Sequence, residues 1–188
     1  MSACPTPTIK HHHIVLIGMM GCGKTTVGKE LHRIMKIPFS DTDQMIETQT
    51  AISIPDIFTQ FGEDSFRDIE TRILRNHLDK PHRSPLIIST GGGIVISPIN
   101  RSILQQLGFV VWLNADINTL FNRVLHSGNR PLLQTAHPKE ILAKLLEQRA
   151  PWYRETAHLS IDTSTLTVQE IAFGIMESSR VFFNDFNI

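Results

Sequence analysis

Ile14-Val15-Leu16-Ile17 runs straight into Gly18-Met19-Met20-Gly21-Cys22-Gly23-Lys24-Thr25, and residues 25–35 continue with helical spacing. A run of β-forming residues, a glycine-rich turn and an amphipathic segment make a strand–loop–helix unit. Residues 18–25 fit G-x-x-x-x-G-K-[ST] in full. Glycines admit positive φ, so successive N–H groups can turn inward around an anion. The helix start adds the positive end of its dipole. In such a loop Lys24 reaches the β- and γ-phosphates of a nucleoside triphosphate and Thr25 ligates Mg²⁺. A glycine-rich turn that carries Lys and Thr by chance is the alternative. The strand before it and the helix after it argue for the phosphate-binding loop.

Working outward, a short second strand is expected at 37–39, ending in Asp41-Thr42-Asp43. Helical spacing fills 44–61 and 64–78, broken near Pro55 and Gly62. A third strand at 86–89 is closed by Gly91-Gly92-Gly93, and a helix over 98–107 leads to a fourth strand at 109–113. A helix over 116–125 follows, with Asp116 placed to favour its N-terminus. Residues 127–138, punctuated by Gly128, Pro131 and Pro138, read as a loop. Helices at 139–149 and 167–177 then flank a fifth strand at 159–161. Continuous apolar strands alternating with helices predict an α/β fold, a parallel sheet covered on both faces in three α/β/α layers. The single domain is expected over 11–180, with a flexible lead-in over 1–10. A tail at 181–188 carries Val181, Phe182, Phe183 and Phe186 to pack on the sheet or on a partner.

The 188 residues suit one domain, and 41% hydrophobic against 19% charged residues supplies a packed core. Eighteen Lys plus Arg balance eighteen Asp plus Glu, which excludes a globally basic nucleic-acid binder and a strongly acidic disordered chain. A local cationic cluster is still compatible with that balance. Cys4 and Cys22 form neither a disulfide framework nor a zinc spacing, as in a reducing cytosol. The apolar run 14–20 is too short for a bilayer, and residues 1–10 lack signal or transit character. A soluble cytoplasmic protein, acting as a monomer without membrane or nucleic acid, is expected. His11-His12-His13 reads as a solvated approach to the first strand rather than a metal site.

Several charged residues fall at the carboxyl ends of the expected strands, where α/β sheets bind ligands. Asp41 and Asp43 could serve Mg²⁺ with its waters and an acceptor hydroxyl, or could cap the next helix. Arg67 and Glu70, spaced i, i+3, could be a surface ion pair. Alternatively, Glu70 orients Arg67 to grip a substrate carboxylate with two parallel hydrogen bonds. Gly91 to Gly93 let backbone approach a ligand. Arg123, Arg130 and Arg149 read as surface arginines by default. Cys22 reads as a space-filler, or as a thiol activated by the helix N-terminus. The absence of Asn-Lys-x-Asp argues against a GTPase. One compact domain with an Arg-bearing loop near 127–138 suits a small-molecule kinase with a lid that keeps water from the phosphoryl group.

In order along the chain, GMMGCGKTTVG (18–28), DTD (41–43), SIPDIFTQFGEDSFRDIE (53–70), TGGG (90–93), RPLL (130–133) and RAPWYRETA (149–157) resemble the shikimate kinases over about residues 14–162. The resemblance implies a five-stranded parallel sheet in the order 2-3-1-4-5, and transfer of the γ-phosphoryl of ATP to the 3-hydroxyl of shikimate with Mg²⁺. It implies that Gly21, Cys22, Gly23, Lys24, Thr25 and Thr26 contact ATP, with Arg123 stacking on adenine and Arg130 directed at the phosphates. Asp43 would bind the acceptor hydroxyl, with Lys24, Asp43 and Arg130 as the catalytic set. Asp41 would meet Mg²⁺ through water, beside Thr25. Arg67 and Arg149 would hold the shikimate carboxylate, against Gly91, Gly92 and Gly93. Residues 162–166 show no alignable adenine reader. The rival readings are another small-acceptor kinase, such as a gluconate or nucleoside monophosphate kinase, and a non-catalytic ATP-binding regulatory module.

Overall fold

The computed structural model describes residues 9–79, 84–125 and 137–185. Five strands, β1 (His13–Ile17), β2 (Phe39–Asp41), β3 (Ile87–Ser89), β4 (Gly108–Asn114) and β5 (Leu159–Asp162), pair in parallel in the order β2-β3-β1-β4-β5. Parallel strands need crossover helices, and these cover both faces. One face carries α1 (Lys24–Met35) and α7 (Val168–Asp185). The other carries α3 (Ile54–Asp79), α4 (Pro98–Leu107) and α6 (Pro138–Thr156), while α2 (Thr42–Thr50) packs on α3 and α5 (Ile117–Leu125) on α6. β1 and all but the last residue of β4 are fully buried, so their apolar runs show no alternation. The core is therefore aliphatic, centred on Val15, Leu16, Val110 and Val111. Because β1 lies between β3 and β4, the chain leaves it toward opposite sides, and a crevice opens beyond its carboxyl end.

Several expected boundaries move, each for a local reason. β2 begins at Phe39 rather than 37, because Lys36 turns the chain in the left-handed region and Pro38 gives its carbonyl, not an N–H, to Ile87. The break expected near Pro55 falls at 51–53, where Ala51 is left-handed and Ser53 caps the next helix through Asp56. Pro55 sits in the first turn of α3, which tolerates it. The break at Gly62 is present, at φ 79° and ψ 174°. α6 does not stop at 149 but continues through Pro151 to Thr156. Tyr153 and Thr156 are buried, and this packing outweighs the one amide hydrogen bond that proline removes. Likewise α7 continues beyond 177 to Asp185, taking in most of the expected tail. Phe182 and Phe183 pack against Phe109, whereas Val181 is exposed. Phe186 and the lead-in residues 1–8 lie outside the described residues.

The histidine run is not a solvated approach to β1. His13 is the first residue of the strand, 1% exposed, and its Nδ1 accepts the Leu86 N–H at 3.1 Å. His11 stacks on it at 5.0 Å, and its Nε2 lies 2.8 Å from the Leu78 carbonyl. Asp116 does what its position suggested. It accepts the Asn118 and Thr119 amides, and the Thr119 hydroxyl and these amides hold its carboxyl at about 2. No described helix is long and apolar enough to cross a membrane.

Candidate active site

The crevice at the carboxyl ends of the strands is a cleft of about 660 Å³. Its floor is the 18–25 loop. Gly18 leaves β1 at φ 141°, and a Cβ there would lie 2.3 Å from the Leu113 carbonyl, so only glycine fits. Lys24 opens α1 and is folded back over the loop, its Nζ donating to the Gly18 and Met19 carbonyls at 2.8 and 2.9 Å. The Thr25 hydroxyl donates to Asp41 Oδ2 at 3.0 Å, and Asp41 Oδ1 accepts the Asp43 amide at 3.1 Å. Asp41 therefore caps α2 and meets Thr25 at once. Thr25 and Thr26 are exposed on the first turn of α1, with Gly21 and Gly23 beside them in the cleft wall. Cys22 is 1% exposed, which fits the space-filling reading and shields its thiol from alkylating reagents.

At one end of the cleft, four separate segments meet. Asp43 comes from α2, Arg67 and Glu70 from α3, Gly91 to Gly93 from the loop after β3, and Arg149 from α6. A Cβ on Gly91 would lie 2.7 Å from Asp43 Oδ1 and 3.0 Å from Glu70 Oε1, so both carboxyls converge on that backbone. Glu70 is 1% exposed, its Oε2 takes Arg67 Nη1 at 2.5 Å, and its Oε1 has no hydrogen-bond partner. Burial pushes the Glu70 carboxyl up to about 7; Arg67 pulls against this and nearby Asp43 adds to it. The other edge of the Arg67 guanidinium, Nε and Nη2, donates to Glu63 Oε1 at 3.2 and 2.8 Å. Arg149 Nη1 donates to the Gly92 carbonyl at 3.3 Å. The loop is tied to its neighbours by Thr90, which donates to Leu16 O, and by the Gly91 amide, which donates to the Thr42 hydroxyl.

At the opposite end, Arg123 leaves α5 to donate to the Thr163 hydroxyl at 3.1 Å and its carbonyl at 2.8 Å. The Thr163 hydroxyl in turn donates to the Cys22 carbonyl at 3.2 Å, which ties the segment after β5 to the phosphate-binding loop. The structure thus gathers Gly21, Cys22, Gly23, Lys24, Thr25, Thr26, Asp41, Asp43, Arg67, Gly91, Gly92, Gly93, Arg123 and Arg149 around one cleft. Arg130 and the RPLL segment lie outside the described residues, as does all of the expected lid except its last two positions. There Pro138 already belongs to α6.

Sequence reasoning missed four residues. Glu63 was legible as an i, i+4 partner of Arg67. Phe58 and Tyr153 stand inside the 53–70 and 149–157 motifs with no role attached, and Thr163 carried no local signal, because only the fold brings these three to the cleft or its loops.

A family model described as shikimate kinase matches residues 20–180. The chain is 44% identical over 169 residues to a shikimate kinase of Nitrosospira multiformis, spanning 90% of this chain and 85% of that protein. A solved structure, the shikimate kinase from Acinetobacter baumannii in complex with shikimate, matches with a TM-score of 0.82 and 38% identity over 92% of this chain and 93% of that one. A gluconokinase from Sinorhizobium meliloti matches with a TM-score of 0.58 but 17% identity, over 96% of this chain and 97% of that one, a likeness of fold alone. With a phosphate-binding loop, two arginines and two carboxyls meeting in one cleft, and with matches of this extent, the chain belongs to the shikimate kinase family.

Proposed function

We propose that the chain is an ATP-dependent kinase that phosphorylates the 3-hydroxyl of shikimate. The observation that carries the reading is the pairing, beside the phosphate-binding loop, of Arg67 and Arg149 with Asp43. Two guanidiniums select a carboxylate, and an aspartate nearby can hold a hydroxyl. A simple polyol offers nothing to the arginines. Phosphoryl transfer asks the protein mainly for alignment and charge neutralisation. In this reading the acid's carboxylate enters between Arg67 and Arg149, and its hydroxyl donates to Asp43. The hydroxyl oxygen attacks the γ-phosphorus, the bond to the ADP oxygen breaks, and Asp43 takes the proton late in the step.

Lys24 would leave its two carbonyl partners for the β- and γ-phosphates. Arg123, with Thr163 behind it, would lie on the adenine. The hard oxygen donors Thr25 and Asp41, already 3.0 Å apart, suit Mg²⁺, with Asp41 acting through water. When bound, Mg²⁺ would neutralise charge on the phosphate oxygens. ADP release with shikimate, gluconate and AMP as alternative acceptors tests the reading. Turnover with shikimate is expected, and turnover with gluconate or AMP alone would overturn it. ATP binding without turnover of any acceptor would favour the regulatory module.

A further inference from the structure

Tyr153 is fully buried on α6, one turn after Arg149, behind the cleft wall rather than among the residues that line it. Its ring stacks on Trp112 of β4 at 5.7 Å. Its hydroxyl donates to the Gly92 carbonyl at 2.5 Å and lies 3.5 Å from Met19 Sδ. Met19 belongs to the phosphate-binding loop and Gly92 to the loop after β3, so one hydroxyl sits where the two loops meet. The loops are also in direct contact: a Cβ on Gly92 would lie 3.4 Å from both Gly18 O and Met20 N.

The near end of the glycine loop is anchored through Thr90 to β1 and through Gly91 to Thr42. Its Gly92 carbonyl is held by Tyr153 and, at a longer 3.3 Å, by Arg149. Of the two donors the Tyr153 hydroxyl is the closer, so it is the main hold on that carbonyl. We propose that Tyr153 is a positioning residue whose hydroxyl clamps the Gly91–Gly93 loop against the phosphate-binding loop. The clamp fixes the spacing between the nucleotide and acceptor subsites. Burial pushes the phenol up, so it stays a donor across the working pH range.

A buried tyrosine usually finds some hydrogen-bond partner, so packing alone would explain a bond to a carbonyl. Two features go further. The partner is the backbone of the expected acceptor loop, and the sulfur beside it belongs to the loop expected to cradle phosphate. A clamp of this kind makes the two ligands sense each other. Nucleotide that orders the phosphate-binding loop also orders Gly92, and the acid then binds a loop already set.

The proposal rests on the shikimate kinase reading, and Tyr153→Phe tests it, since the ring and its stacking on Trp112 are kept. Shikimate affinity is measured by calorimetry with and without the imido analogue of ATP, alongside kcat and thermal unfolding. In the wild type the analogue should tighten shikimate. In Tyr153→Phe that tightening should shrink toward none and kcat should fall roughly tenfold, as for a loss of alignment. Each ligand alone should bind within about twofold of wild type. Amide exchange at residues 19–21 and 91–93 should quicken in the variant. Unchanged coupling and kcat would overturn the clamp, as would a wild type without coupling. So would weaker binding of both ligands alone together with a lower Tm, the signature of packing. If the wild type fails to turn over shikimate, the functional reading falls. Amide exchange then judges the clamp alone: faster exchange at both loops supports it, and unchanged exchange overturns it.

Discussion

Gly93→Ala should separate the acid site from the nucleotide site more cleanly than removal of Arg67. Gly93 has φ −96° and ψ −1°, a turn conformation open to alanine at negative φ, so the substitution adds little backbone strain. The new methyl, however, would lie 2.4 and 2.5 Å from Arg67 Nη1 and Nη2, well inside van der Waals contact. The guanidinium must swing away, loosening its 2.5 Å bond to Glu70 and turning from the cleft. Losing one charge-assisted hydrogen bond to a carboxylate costs about 1.5–3 kcal/mol. At about 1.4 kcal/mol per decade, that is roughly ten- to hundredfold in kcat/KM for shikimate. A coupled assay that varies each substrate in turn reads this directly, and the ATP KM should stay within about twofold. Shikimate kcat/KM held within about threefold would show that Arg67 does not carry the acid, and an equal loss for both substrates would point to general damage.

Glu63→Gln should improve acid binding. Glu63 is 59% exposed yet occupies the Nε and Nη2 edge of Arg67, so a substrate carboxylate must displace it. An exposed pair of this kind is worth about 0.2–1 kcal/mol, which predicts a fall in shikimate KM of up to about fivefold; a rise would refute the competition. Glu70 makes stability depend on pH. The native carboxyl holds its proton to about 7, whereas the unfolded one releases it near 4.5. Its contribution is therefore full below about 4.5 and is lost as pH rises through about 7, by a few kcal/mol. Burial lowers His158 below its ordinary 6.5, so that residue acts in the opposite sense, its contribution lost as pH falls below 6.5. The informative quantity is thus the difference in urea midpoint between wild type and Glu70→Gln at pH 5 and pH 8. A difference that does not change with pH would refute the assignment.

The parallel sheet was legible because β1 and β4 are continuous apolar runs and 18–25 punctuates the first crossover. The cleft residues were legible wherever chemistry forces a local signature, as in the Lys24 loop, the Asp41-Thr42-Asp43 turn and the triple glycine. Boundaries failed where tertiary packing overrides a local rule. Pro151 looks like a helix end, but Tyr153 and Thr156, two and five residues on, are buried and keep α6 going. Residues 181–188 look like a tail, but Phe182 and Phe183 pack against Phe109 of β4 and carry α7 on to Asp185. His13 looks exposed beside His11 and His12 until its imidazole is seen to accept a strand amide. Thr163 and Tyr153 act through backbone carbonyls of distant loops, and a carbonyl leaves no mark in a sequence.

Zero net charge conceals a division of labour within the cleft. Every described cation there is already engaged, so ligand binding exchanges partners instead of filling vacant sites. At the nucleotide end the partners are neutral oxygens. Lys24 rests on two carbonyls and Arg123 on a threonine hydroxyl and carbonyl. A phosphate oxygen outcompetes a carbonyl because its bond to a cation is charge-assisted on both sides. At the acid end Arg67 rests on two carboxylates, so a third carboxylate gains little by simple exchange. The two carboxylates differ in what leaving would cost. Glu63 is exposed and returns to water with little penalty, whereas Glu70 is sealed in and would be left buried without its cation. The geometry resolves the competition by edges. Glu70 keeps Nη1 and holds the guanidinium plane, while Glu63 yields Nε and Nη2, the parallel pair of donors that a planar carboxylate fits. Selectivity for a small acid then comes from a donor edge that is held in place by one carboxyl and only lent to the other.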